Sequence, residues 1–296
     1  MTERIRLETD NATVDVIPEL GGSLAGFELK AGSGTLPVFR RWSGESENPR
    51  TFALIPMVPW FARISGGGIT IDGQFYPIVG NDPEDTHPLH GDGWRSPWEV
   101  VERDRHRVAL RLRSRAIPPF DYESNLVYAL EGATLEARLS IKSCATRPLP
   151  YGMGLHPWFP RTPDVTLRAA TTGTWLVQPP ELPTRVEPDP LPEAWDFTRG
   201  RRLPGEFVDN SFTGWDGNAR IEWPSEGHAV MIEADPAITL THIYAPRPDL
   251  PYFCFEQITH MIDAFNIPAP PEQTGLRVLA PGDETGMWVR YAAERL

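Results

Sequence analysis

Leu126-Val127-Tyr128-Ala129-Leu130-Glu131-Gly132-Ala133-Thr134-Leu135-Glu136-Ala137-Arg138-Leu139-Ser140-Ile141 is the stretch that decides the fold class. Residues 126–130 and 135–141 read as two strands, joined through Glu131-Gly132. The run before them, Val108-Ala109-Leu110-Arg111-Leu112-Arg113, is a strand with one apolar face. Arg103, Arg105, Arg107, Arg111, Arg113 and Arg115 share its other face, which reads as a solvated surface, with an anion-binding surface as the alternative. Further towards the N-terminus, Ile69-Thr70-Ile71 and Phe75-Tyr76-Pro77-Ile78 flank Asp72-Gly73, a pair suited to a tight primed turn, so a hairpin is expected. Towards the C-terminus, strands are expected over residues 164–170, 219–223, 229–234, 238–244, 252–256, 276–280 and 287–292. The 32 prolines and 25 glycines interrupt most windows of helical length, so very little helix is expected. Short strands with turn punctuation indicate an all-β sandwich or barrel. Residues 179–192, rich in proline and acid, read as a stiff exposed loop. Residues 268–271 read as a shorter one. Neither resembles a domain linker, so residues 1–296 are expected to form a single domain.

The net charge of -12 disfavours nucleic acid and anionic membrane as partners. Cys144 and Cys254 both lie in alternating apolar stretches and read as reduced core residues. Residues 1–6 lack the apolar region of a secretion signal, and no run approaches the about 18 apolar residues of a spanning helix. A soluble, cytoplasmic protein is expected.

Chemistry is concentrated in five stretches. In Tyr151-Gly152-Met153-Gly154-Leu155-His156-Pro157-Trp158-Phe159-Pro160, a strand reading sends Tyr151, Met153 and Leu155 into a core. Gly152, Gly154 and His156 then form a shallow open floor with one titratable group on it. Arg63 stands in the apolar run 56–64, where it either pairs with a carboxylate or serves a site. His90 lies in His87-Pro88-Leu89-His90-Gly91-Asp92-Gly93-Trp94, and Asp209 in Phe207-Val208-Asp209-Asn210-Ser211-Phe212, which reads as a polar turn between aromatics. Glu256 ends a strand too hydrophobic to hold a carboxylate unless it is salt-bridged or functional. His87, His90, His156 and Glu256 could be metal ligands, but His-x-x-His here sits in a Pro/Gly loop, and no metal is expected. Gly21-Gly22-Ser23-Leu24-Ala25 joins no buried strand to a helix, as a hydrolase nucleophile would require. No phosphate-cradling glycine loop is present. A glycosidase dyad of Glu256 and Asp209 turns on the separation of the two carboxylates.

Five landmarks in order resemble the aldose 1-epimerase (galactose mutarotase) family along nearly the whole chain. They are Arg63 before Gly66-Gly67-Gly68 and Asp72-Gly73; Leu89-His90-Gly91; His156-Pro157-Trp158-Phe159; the Asp209 turn; and Glu256 followed by Asp263-Ala264-Phe265-Asn266. The resemblance implies a large antiparallel β-sandwich of the galactose mutarotase type (a supersandwich) with an open sugar cleft. It implies Glu256 as general base and His156 as general acid, with His90, Arg63 and Asp209 holding the sugar's hydroxyls and ring oxygen. No cofactor is implied, and the partner is a small-molecule aldose bound by a monomer or homodimer. The acid and base are expected on opposite sides of the C1–O5 bond, facing each other across a hollow. Trp60, Trp94, Trp158 and Trp215 are candidates for an apolar wall beneath the sugar, Trp158 foremost. The chain departs from the family pattern at Ala62 (usually asparagine), Asp92 (usually glycine) and Pro160 (usually asparagine). Those changes leave acid and base in place and bear on which sugar is taken. Two alternatives share the scaffold: a hexose-6-phosphate mutarotase, with Arg40-Arg41, Arg161 or Arg201-Arg202 as anion contacts, and a non-catalytic carbohydrate-binding or regulatory protein.

Overall fold

The computed structural model describes residues 3–177 and 181–296. Among them, antiparallel pairing builds two large sheets. The first runs Ile5–Glu8, Ala12–Ile17, Ser23–Ala31, Leu54–Met57, Gly154–Pro160, Tyr252–Ile258, Leu240–Ala245, Val208–Thr213, Gly173–Thr174 and Asp189–Pro190, with Gly34–Pro37 attached to the third strand. The second runs Arg201–Arg202, Thr166–Ala169, Asn218–Trp223, His228–Ala234, Glu284–Arg295, Thr134–Ser143, Tyr122–Glu131, Arg107–Ser114 and Glu99–Arg103. One buried apolar cluster draws on both sheets, including Phe27, Phe159, Phe253 and Phe255 from the first and Leu126, Leu139, Val230 and Tyr291 from the second. Described helix is confined to single turns at Pro49–Thr51, Glu193–Trp195 and Pro271–Thr274. This is an antiparallel β-sandwich, as the alternation predicts, and of the galactose mutarotase type, as the resemblance implies.

The expected strands from residue 108 onward are present, each with bounds within a few residues. Strict alternation explains this: Tyr122–Glu131 and Thr134–Ser143 bury every second residue, as a sheet with one face on a core must. Asp72-Gly73 turns a hairpin between Gly68–Ile71 and Gln74–Pro77, with φ of 51° and 77° at the two turn residues. The arginine stripe is a paired surface: Arg103 meets Glu3, Arg107 meets Glu102, Arg111 meets Glu99, and Arg113 and Arg115 meet Asp121.

Four expectations are corrected. Residues 208–213 form a strand, not a turn, hydrogen-bonded to Leu240–Ala245. The described part of 179–192 is not simply exposed, because Asp189–Pro190 joins the first sheet and Leu182 and Val186 pack on apolar clusters; Pro179 and Pro180 lie outside the described residues. Cys254 is a buried free thiol, but Cys144 is only half-buried. Gly152 and Gly154 are no open floor: a Cβ at Gly152 would strike the His260 ring, and one at Gly154 would crowd Met57, Gln257 and Ile258. Glycine there lets buried groups approach the backbone closely, and no ligand is needed to explain it.

Candidate active site

Alternation along the central strands of the first sheet decides which side chains share the face opposite the core. On Tyr252–Ile258, Phe253 and Phe255 point into the main core, so Cys254 and Glu256 point the other way. Next to it, on Gly154–Pro160, Leu155 and Phe159 face the core, while His156 and Trp158 share the face of Cys254 and Glu256; Trp158 lies directly opposite Cys254. On the other flank His242 and Tyr244 pair with Ser211 and Asp209. Loops close this face into a cavity of about 420 Å³, lined among others by Arg40, Arg63, His90, His156, Asp209 and Glu256. Trp158 lines it as well, so the structure brings together all six residues singled out by sequence.

The two proton-carrying candidates touch. His156 Nε2 lies 3.3 Å from Glu256 Oε1, which differs from the expected opposition across a hollow. Glu256 is 1% exposed, and its Oε2, like His156 Nδ1, is buried without a hydrogen-bond partner. Burial, followed by the charge on Asp209, pushes the Glu256 carboxyl well above the usual range. Burial, followed by the charges of His242, Arg40 and Arg50, drives His156 well below the usual histidine value. Both shifts favour a pair that carries one proton in total.

Asp209 accepts from His242 Nε2 at 2.8 Å and from Arg63 Nη1 at 3.4 Å. Burial alone would raise its carboxyl, but His242 and Arg63 outweigh that and hold it below the usual value. Arg63 Nε also reaches Asp85 at 2.8 Å, so this arginine both pairs with carboxylates and lines the cavity. With Asp209 engaged by both His242 and Arg63, a glycosidase dyad with Glu256 has no free second carboxylate.

His90 is held by its surroundings. Its Nδ1 accepts the Ala62 N–H at 3.0 Å, which leaves Nε2 to carry the proton as a donor. Asn81 braces the loop, donating to the carbonyls of Leu89 and Gly91 and accepting from the Leu89 N–H. Ala62 and His90 both sit at positive φ, 58° and 56°, a conformation that costs a non-glycine residue roughly 1–3 kcal/mol and persists where the surroundings impose it. Asparagine tolerates that region better than alanine, which gives the usual residue at position 62 a backbone reason.

The remaining landmarks separate into cavity and scaffold. Asp263 Oδ1 accepts from the Ser65 N–H at 2.8 Å, and Asn266 donates to the Ser65 carbonyl at 3.1 Å, so this motif pins the loop that follows Arg63. Asp92 is not on the cavity; it accepts from Ser114 Oγ and, at 2.7 Å, from the Tyr122 hydroxyl. The Pro160 carbonyl accepts from Trp223 Nε1. Of the three departures from the family pattern, only Ala62 reaches the cavity.

Trp158 stacks on His156 with ring centroids 3.9 Å apart. Trp60, Trp94 and Trp215 are not part of the cavity wall; Trp60 packs on Phe120, Trp94 against His90, and Trp215 on Phe255. Tyr244, Tyr252 and Phe61 line it instead, and sequence reasoning missed them along with His242. Of the arginines named as anion contacts, Arg40 alone reaches the cavity; Arg41 pairs with Glu28, Arg161 bonds the carbonyls of Pro204 and Pro246, and Arg201 bonds that of Glu193.

Comparison with known proteins agrees with this fold. The family model described as aldose 1-epimerase matches residues 3–292, and the chain belongs to that family. The uncharacterized protein YphB of Escherichia coli (strain K12) is 32% identical over 91% of each chain. Among solved structures, a candidate aldose 1-epimerase from Escherichia coli K12 is 29% identical, with full coverage of both chains and a TM-score of 0.89. A galactose mutarotase-like protein from Clostridium acetobutylicum shares the fold at 18% identity and a TM-score of 0.86, covering 100% of this chain and 96% of its own. Family membership supports a mutarotase-type enzyme. No helix among the described residues is long and apolar enough to cross a membrane.

Proposed function

We propose that the protein is a mutarotase that interconverts the α and β anomers of an aldose by acid–base ring opening and closure. The observation that carries this reading is the His156–Glu256 contact at 3.3 Å on the cavity wall. O1 and O5 are both bonded to C1, so the groups that exchange protons with them must be neighbours, as these two are. Glu256 takes the proton of the O1 hydroxyl while His156 gives one to O5, and the C1–O5 bond opens. The aldehyde turns about C1–C2, the ring closes on its other face, and the two roles reverse. Burial by itself favours the proton on Glu256. A sugar hydroxyl donating to the carboxylate restores the stabilisation that burial removed and draws the proton to His156. His90, Arg63 and Asp209 hold hydroxyls and the ring oxygen, and Trp158 keeps the imidazole in place from one side.

A second reading, anionic aldoses such as hexose 6-phosphates, is favoured by Arg40. Its guanidinium bonds only carbonyls, those of Arg50 and Phe52, and lies over the rings of Trp158 and Tyr252 at 4.7 and 4.8 Å. Among the described residues it meets no carboxylate within salt-bridge distance, and burial brings it down to about 10. A phosphate or carboxylate on the substrate would supply the missing charge.

One panel tests both readings: anomerically pure hexoses, pentoses and hexose 6-phosphates, followed by optical rotation or NMR. Turnover of at least one aldose is expected, and Glu256→Gln should lower it by ~10²–10⁴-fold while leaving sugar binding measurable. Binding without turnover across the panel would point instead to a carbohydrate-binding protein. Near wild-type rates in Glu256→Gln would remove Glu256 as the base.

A further inference from the structure

The catalytic reading uses His156 and Glu256 but leaves Cys254 without a task. Cys254 shares their face of the sheet, two residues before Glu256 and directly opposite Trp158. One ligand atom from each of His156, Cys254 and Glu256 lies within 4.8 Å of the other two. All three residues are more than nine-tenths buried, and Glu256 Oε2 and His156 Nδ1 have no partner. An imidazole, a thiol and a carboxylate form a mixed donor set suited to zinc, and the thiolate disfavours magnesium or calcium. Zinc bond lengths of ~2.0–2.3 Å put the ligand atoms of one tetrahedron roughly 3.3–3.8 Å apart, so side-chain shifts of about 1 Å close this set on an ion.

We propose that His156, Cys254 and Glu256 form an inhibitory site for Zn²⁺ or a similar thiophilic divalent cation on the wall of the sugar cavity. Two of the three ligands, His156 and Glu256, line that cavity, so a fourth ligand would be water or a sugar hydroxyl drawn from it. Binding replaces the S–H bond of Cys254 by a sulfur–metal bond and releases that proton, with any proton held by Glu256; nothing is oxidised or reduced. An ion held there occupies the acid and the base together, so it blocks both proton transfers and competes with the sugar. The inhibitory consequence rests on the mutarotase reading; the metal site does not.

Cobalt(II) serves as the probe, because a thiolate ligand gives it a near-ultraviolet charge-transfer band that is read without any sugar. Titration of the protein should produce that band, saturating at one ion per chain. The band should persist in Cys144→Ala, whose single thiol is Cys254, and should vanish in Cys254→Ala and Cys254→Ser. Zn²⁺ should displace the cobalt and raise the apparent KM for the sugar, with Cys254→Ala needing at least ~10-fold more Zn²⁺ for the same effect. Absence of the band in Cys144→Ala, or its survival in the Cys254 variants, overturns the site. A band that behaves as expected in a protein that moves no anomers upholds the metal site and removes the catalytic reading.

Discussion

At the scale of single residues, the molecule is governed by histidines and carboxylates that burial keeps away from their ordinary charge states. The Glu256–His156 pair should be active while it holds one proton. Its acid limb reflects protonation of a depressed imidazole, and its alkaline limb the loss of the shared proton. A bell-shaped pH dependence of kcat/KM is therefore expected, with the acid limb below the ordinary histidine value of ~6.5. An acid limb above neutral pH would contradict it. His260 shows the same physics without catalysis. Its Nε2 accepts the Phe61 N–H at 2.9 Å, its Nδ1 donates to the Met261 carbonyl at 2.8 Å, and burial lowers it to about 4. Between that value and ~6.5 the unfolded chain binds the proton and the folded chain refuses it, so stability is lost as pH falls through this window. The loss for this residue amounts to about 3 kcal/mol by pH 4. Urea unfolding from pH 7 to pH 4 checks this. His260→Gln should flatten the dependence, and an equal slope in that variant would place the effect elsewhere.

At the scale of strands and loops, Asp92 separates scaffold from chemistry. It ties the loop after His90 to Ser114 and Tyr122 of two neighbouring strands in the second sheet. Asp92→Ala strands those buried hydroxyls and should cost about 1–3 kcal/mol in denaturant unfolding, while kcat for the preferred sugar stays within about twofold. A large loss of kcat in a folded Asp92→Ala protein would make this residue part of the site. The same scale shows what could be read from sequence. Runs such as Tyr122–Glu131 are legible because one face meets the core and the other meets water. Leu54–Met57 is buried throughout, so its pattern has no period to read. Val208–Thr213 is disguised by its polar residues: Asp209 and Ser211 bond the His242 side chain, and Asp-Asn-Ser on a strand has the composition of a turn. Landmark order placed the six named residues in one cavity. His242 escaped because nothing in Leu240–Ala245 marks it; its meaning comes from Asp209 on the adjacent strand, a relation across the sheet. Trp60, Trp94 and Trp215 mislead for the converse reason, since a tryptophan looks the same in a wall as in a core.

At the scale of the whole molecule, the pair proposed to carry the chemistry sits on neighbouring strands, and its members, His156 and Glu256, are 100 positions apart in the chain. Arg63 and His90 join them from the first third of the sequence. Such a cavity has no partial version, because closing these long loops must precede any contact within it. After dilution from denaturant, far-ultraviolet circular dichroism should recover before anomer interconversion does, in stopped-flow measurements of both. Simultaneous recovery would mean that the central strands pair first.

The lateral borders of the two sheets have a different consequence. One ends in the two-residue strand Asp189–Pro190, where proline withholds a backbone donor, and another in Arg201–Arg202, a doubled positive charge. The opposite borders are the four-residue Ile5–Glu8 and Glu99–Arg103, the latter charged and carrying a register shift against its neighbour. A second copy arriving edge-on finds too few aligned amides to extend either sheet. A chain whose described regular structure is almost wholly β is thereby expected to resist fibrous self-association, even when crowded.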